Sequence, residues 1–279
     1  MFKKKGNIYM LLFLVFIMLI MFFMLKYSFG KQNKNEAISI TNEKLEELVS
    51  DGIKSRASSY MDGEKVTEGH LILGTEIKDN LLKVYTISSL GTFGFENNIF
   101  TIVSGSGEIP TVLTFENKNN WEMIEYKEPL DGSGYGDSLK KMFPKEIYEE
   151  ILSNSGSFSG EIKKQKVEQA SEYLRSIKRV AEINPDYVEK KLFNINVEAS
   201  NILFSELTKY DEFLNNCPYW IGTVERIENG NRYIYESFQG KSKEDSILIV
   251  FKKTDNSGKV IREERYKIEG PNVIKIEDN

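Results

Sequence analysis

The sequence predicts an α+β protein held at a membrane by a single N-terminal helix. Three patterns carry that expectation. An apolar run without charge, glycine or proline covers Ile8–Leu25. Apolar residues recur at helical spacing over residues 42–60 and 161–183. Strict alternation occupies residues 67–127 and much of 219–277. The expected order is a transmembrane helix, a helix with an antiparallel β-meander, a helical middle, and a second antiparallel β-meander. The expected division is 1–26 for the anchor, 27–40 for a linker, and 41–183 and 184–279 for two α+β parts.

Ile8–Leu25 as a helix spans about 27 Å, close to the hydrocarbon thickness of a bilayer. A soluble helix would keep a polar face, and this stretch has none. Lys3, Lys4 and Lys5 precede it and Lys26 closes it. No small-residue cleavage pattern follows, so an uncleaved signal anchor is expected. Lipid contact through Ile8–Leu25 is thus the first expected partnership. Lysines flank both ends of the span. The α-amino group and the tight Lys3–Lys5 cluster favour the N-terminus inside, which puts the C-terminal part outside the cell. A cytoplasm-facing membrane regulator is the reading under reversed topology.

Six lysines and no acid precede Glu36, so the formal net charge of −5 leaves −11 for the remainder. An acidic body argues against nucleic acid as a partner, because phosphate binding needs a cationic face. One cysteine, Cys217, permits no internal disulfide. The Lys, Ile, Asn and Glu bias resembles that of AT-rich Gram-positive bacteria.

Leu45, Leu48, Val49, Ile53 and Ala57 predict an amphipathic helix over Asn42–Tyr60. Five strands are then expected at Leu71–Ile77, Leu81–Leu90, Ile99–Ser104, Thr111–Glu116 and Glu122–Lys127. Their short polar turns imply antiparallel neighbours. Gly91–Gly94 and Ser104–Gly107 read as loops or bulges at one sheet end. Short helices follow at Asp137–Phe143 and Pro144–Ser153. Val167, Ala170, Leu174, Ile177 and Ala181 lie along a predicted helix over Glu161–Ile183. That stripe fits a coiled-coil seam, or one helix packed on its own sheet. Tyr187–Phe213 reads as mostly helical. Strands at Tyr219–Ile227 and Arg232–Phe238 flank Asn229-Gly230, a strong hairpin signal. Ser246–Lys252, Val260–Ile268 and Val273–Glu277 complete the second meander.

The chemistry excluded is sharper than the chemistry indicated. His70 is the only histidine, which leaves a Ser-His-Asp or Cys-His site no other base. No HExxH, CxxC, Asp-rich calcium loop, GxGxxG opening a helix or GxxxxGK[ST] occurs, so no metal and no cofactor is expected. Glu96, Glu108, Glu125, Glu128 and Asp131 are the candidates for a carboxylate-based hydrolase of the cell envelope, the alternative enzymatic reading. Loops rich in glycine and aromatics at one sheet end make Phe93, Phe95, Glu96, Ser104, Ser106 and Tyr135 the candidate binding surface.

Several blocks occur in series: Glu68-Gly69-His70-Leu71-Ile72-Leu73-Gly74-Thr75-Glu76, Phe93-Gly94-Phe95-Glu96-Asn97, Ser104-Gly105-Ser106-Gly107-Glu108-Ile109-Pro110, Tyr126-Lys127-Glu128-Pro129-Leu130-Asp131-Gly132-Ser133 and Ser138-Leu139-Lys140-Lys141-Met142-Phe143-Pro144. Across about residues 40–180 the series resembles the C-terminal extracytoplasmic region of Gram-positive BlaR/MecR-type membrane peptidases. Those proteins carry a multi-pass zinc peptidase domain before this region, and here one apolar helix stands in its place. The resemblance implies an outside-facing sensory or interaction module without peptidase activity, with a membrane sensor protein or a cell-wall component as partner. Ser138-Leu139-Lys140-Lys141 fits the S-x-x-K of β-lactam-acylated enzymes, but neither S-D-N nor K-T-G occurs. No enzymatic activity is therefore expected.

Overall fold

The computed structural model describes residues 40–61, 63–154, 157–242 and 245–276. Ile8–Leu25 lies outside them, and among the described residues no helix is long and apolar enough to cross a membrane. Residues 42–279 form one compact unit.

Helix α1 (Asn42–Lys54) opens that unit and buries Leu48, Val49 and Ile53. It stops short of Tyr60, and the chain turns through a 3₁₀ segment at Ala57–Ser59. All five strands expected in the first half are present: β1 (Lys65–Lys78), β2 (Leu81–Glu96), β3 (Ile99–Gly105), β4 (Ile109–Asn117) and β5 (Trp121–Lys127). Strand β2 is the spine. One edge pairs with β1, and the other pairs with β3 and then β4. Gly91 faces Gly105 while Ser88 faces Ile109, so three residues oppose two. β3 and β4 are thus one long strand broken by the bulge at Ser106–Glu108. The Gly91–Gly94 stretch, expected as a loop, continues β2. Gly91 lies within the strand and makes no turn, and a Cβ there would meet Ile102 at an ordinary contact distance of 3.4 Å.

Short helices α2 (Tyr135–Met142) and α3 (Lys145–Ser153) lead into α4 (Ser159–Ser176). The last packs on its own sheet, burying Ile162, Lys166, Ala170 and Leu174, and leaves Ile177 outside. It ends seven residues before the expected Ile183. Lys178 takes φ 54°, its N–H bonds to Arg175, and the Arg179 N–H bonds back to Leu174. This is the closing geometry usually marked by glycine, and here a lysine adopts it. Gly69 on β1 lets the helix approach, since a Cβ there would meet the Ile162 carbonyl oxygen at 2.4 Å.

The outer edge of β1 is sealed from α4. Gln165 accepts from the His70 N–H at 2.8 Å and donates to its carbonyl at 3.0 Å. Gln169, one turn on, does the same for Glu68 at 3.3 and 2.6 Å. Each carboxamide supplies the donor and acceptor that a neighbouring strand would supply.

The second half corrects one expectation. Tyr187–Phe213 is helical only from Val197 on, and there in short pieces of different pitch. Residues 187–196 run irregularly, followed by α5 (Val197–Asn201), one π turn at Ile202–Glu206, a 3₁₀ turn at Leu207–Lys209 and α6 (Glu212–Asn216). The apolar residues serve as a cover for the sheet: Phe193, Ile195, Leu203, Phe213 and Leu214 pack on Tyr235, Ile249, Phe251 and Tyr266. Backbone bonds that a helix would keep go outward instead, as from Asn194 N–H to Gln239. Following β6 (Ile183–Asn184), which runs parallel to β3, the sheet resumes with β7 (Gly222–Glu228), β8 (Asn231–Lys241), β9 (Ile247–Asp255), β10 (Val260–Glu269) and β11 (Asn272–Ile276). These five form the expected antiparallel meander. Asn229 and Gly230 both have positive φ, as the two-residue hairpin requires.

Strand β7 also joins the two halves. Val224 pairs with Glu96 at the end of β2, and Asn97 exchanges two bonds with Thr223. The junction is tight. At Gly222 a Cβ would meet Trp220 at 2.2 Å and Asn97 Oδ1 at 2.4 Å.

Candidate functional site

The structure divides the six expected surface residues. Phe93 and Phe95 are core, at 0% and 1% exposure, and stack with Phe100. They are not a contact surface: α4 covers their face of β2, with Ala170 and Leu174 against them. Ser104 Oγ accepts from the Met61 N–H, and Ser106 Oγ from the Leu90 N–H, so both hold the bulge together. Tyr135 begins α2, whose Leu139 packs on Tyr85 and Val112, along the opposite half of β2. Glu96 remains. It is 4% exposed and lines a cleft, as does Phe95.

That cleft follows from the junction. It is lined by Gly94 and Glu96 of β2, Val224 of β7, Met61 and Gly63 ahead of β1, and Glu212 and Asn216 of α6. The cavity measures about 470 Å³. Glu212, Asn216 and Glu228 also line a second cavity of about 510 Å³, bounded by Asp211, Lys253 and Arg262. The two cavities adjoin at these three residues and are together called the groove.

Behind the groove lies a buried ionic network built from both halves. Arg232 donates to Glu64 at 2.7 Å and to Glu225 at 2.8 Å. Arg179 grips Glu225 through both terminal nitrogens, at 2.5 and 2.6 Å. Its guanidinium lies 3.5 Å from the Phe95 ring centroid. Tyr173 donates to Glu64 at 2.8 Å. The carboxylate side chains of Glu64 and Glu225 are only 5% and 4% exposed. Burial alone would raise the Glu225 pKa, but the two arginines outweigh it and hold the carboxyl below its usual 4.5. Burial and the Glu64 carboxylate push the Tyr173 hydroxyl up to about 12. Arg179 and Arg232 thus hold a charged Glu225 between the halves.

The other candidates fall elsewhere. His70 is buried between two carboxylates: Nδ1 lies 2.8 Å from Glu68 Oε2 and Nε2 2.8 Å from Glu46 Oε2. Ser138 Oγ donates to the Tyr135 carbonyl and accepts from the Leu130 N–H, which makes it part of the turn into α2. Glu96 binds Lys190. Glu125 accepts from Thr114, which faces Lys83 on β2, some ~40 Å of strand from Glu96. Cys217 is buried, and burial lifts its thiol to about 12.

Lys166 was not singled out by the sequence. It is 6% exposed at the centre of the α4–β2 interface and donates to Ser89 Oγ at 2.9 Å. Burial draws its ammonium below the usual 10.5, against an opposing pull from Glu108. A serine beside such a lysine has the composition of a nucleophile and base, but Ser89 is 2% exposed under the helix. Lys166→Met is expected to raise stability by about 1–3 kcal/mol, because a similar volume replaces a desolvated charge. The unfolded lysine holds its proton more tightly, so wild-type stability gains a rising component as pH climbs through the folded pKa towards 10.5. Urea midpoints of the two proteins across alkaline pH measure both effects. A lower midpoint for the variant at every pH would contradict them.

Only a lone lysine on an apolar helix face could have signalled Lys166. Arg179, Glu64, Glu225 and Arg232 gave no local signal, since Glu64 and Arg232 meet across 168 positions of chain. Comparison of the chain with family models, curated proteins and solved structures finds no match.

Proposed function

We propose that the chain is a single-pass, membrane-anchored, extracytoplasmic binding or sensory protein without catalytic activity. It would be a free-standing counterpart of the module attached to BlaR/MecR-type peptidases. One observation carries this reading: the groove is walled by both halves and backed by the network that ties them together. A ligand in the groove touches Met61 and Gly63 as well as α6. Binding there is linked to the arrangement of the halves, which is what a sensor needs. The apolar Ile8–Leu25 run and the series of blocks from Glu68 onward support the location and the class.

Asn216 lines both cavities, its carbonyl accepts from Arg226, and its side chain has no hydrogen bond among the described residues. Asn216→Trp therefore fills the groove from an exposed helix end. The full chain in nanodiscs is heated with fractions of a Gram-positive cell-envelope extract. A ligand at about 100 times its Kd stabilises by about 2.7 kcal/mol, or roughly 5–10 °C for a body of this size. At least one fraction should produce that shift in the wild type and not in Asn216→Trp. Equal shifts in both proteins, or none in either, would refute binding in the groove.

A further inference from the structure

One residue lining the groove carries a buried acceptor that the protein does not satisfy. Glu96 Oε1 pairs with Lys190 Nζ at 2.9 Å, and Lys190 lies over the Trp220 ring. Its other oxygen, Oε2, is buried and has no hydrogen-bond partner among the described residues. Most buried polar atoms are bonded, and an orphaned carboxylate oxygen is costly. This one belongs to a residue lining a cavity of about 470 Å³.

The opposite charge lies one step along the same wall. Glu96 pairs with Val224, and Arg226 follows two residues later on the same face of β7, about 7 Å further on. Arg226 also lines the cavity, and its long bond of 3.4 Å to the Asn216 carbonyl uses Nε. The fork nitrogens of a guanidinium suit a carboxylate. Val103 and Ile227 add apolar wall beside them.

We infer that the groove takes a small zwitterion of dipeptide size. Its ammonium donates to Glu96 Oε2, its carboxylate meets Arg226, and its side chain lies on Val103 and Ile227. A cavity of about 470 Å³ has room for a dipeptide. This rests on the groove being a binding site, and it names the ligand's chemistry.

The probes are leucylglycine, N-acetyl-leucylglycine, which lacks the ammonium, and leucylglycinamide, which lacks the carboxylate. Each is titrated by calorimetry into the full chain in nanodiscs. Leucylglycine should bind at least about tenfold more tightly than either analogue, the scale of one charged hydrogen bond in a buried site. Glu96→Gln should abolish the preference over the acetylated probe. Arg226→Gln should abolish the preference over the amide. Circular dichroism confirms that each variant is folded. Equal affinity for leucylglycine and its acetylated form would overturn the proposal, as would unchanged affinity in a folded Glu96→Gln. If no probe binds, yet an envelope fraction still stabilises the wild type and not Asn216→Trp, the ligand class is wrong and the binding reading survives. If neither occurs, both fail.

Discussion

Arg232→Leu is expected to destabilise the protein by about 3–5 kcal/mol, the cost of leaving buried carboxylates without their cation. Glu64 would lose its only guanidinium among the described residues and keep the neutral Tyr173 hydroxyl. Glu225 would keep Arg179. For a body of this size the loss corresponds to a fall in Tm of roughly 6–20 °C. The sign of the pH dependence follows from Glu225. Its folded pKa lies below 4.5, so its contribution is present above pH 4.5 and is lost as pH falls through the folded value. The variant should therefore differ least from the wild type in acid. Glu64→Gln added to Arg232→Leu should recover part of the loss, because it removes a stranded charge. Thermal unfolding of the three proteins at neutral and acid pH measures this. A single variant within about 1 kcal/mol of wild type would show that the network does not hold the halves together.

His70→Leu should cost a similar amount, about 3–5 kcal/mol, with a different pH signature. Burial opposes the charge on His70, but Glu68, with help from Glu46, outweighs it and raises the pKa above 6.5. The contribution of His70 is then complete below pH 6.5 and lost as pH rises through the folded value. Glu68 is likewise penalised by burial, but His70, Ser50 and Lys54 hold it below 4.5, so its contribution is complete above pH 4.5 and lost below the folded value. The pair stabilises most between pH 4.5 and 6.5. In His70→Leu the stranded Glu68, 5% exposed, retains Ser50 as donor and recovers by taking up a proton. The deficit relative to the wild type should narrow at alkaline pH, where wild-type His70 has lost its proton, and again in acid, where Glu68 takes one up. Urea unfolding across pH 4 to 9 tests it, and a loss that does not vary with pH would rule out the charged pair as the cause.

The strands were legible because their signals are local. Two-residue polar turns at Asn97-Asn98 and Asn229-Gly230 both take positive φ, and alternation carried the rest. The early end of α4 was hidden because Lys178 closes the helix where glycine would have announced it. Residues 187–196 failed for another reason. Phe193 and Ile195 have helix-compatible spacing, yet they pack from an irregular segment onto a sheet that lies far ahead in the chain. The site was half visible. Glu96 was singled out for its place beside a glycine-rich stretch, but the arginines behind it meet their partners only through the fold. Phe95 was singled out as a contact residue, and its buried ring is instead the platform for Arg179.

The two glutamine carboxamides on α4 have a consequence for how copies of this chain can meet. A strand edge is a template, and any extended segment nearby can register on it. At Glu68 and His70 the template is already read, by side chains that cannot propagate it. Fibril growth by strand addition therefore has no start along that stretch. Edges remain elsewhere, at β5, β6 and β11, which end the paths through the sheet, and along β1 beyond His70. Crowding many copies together would then favour contacts through those edges, and the Glu68–His70 stretch would take no part in them.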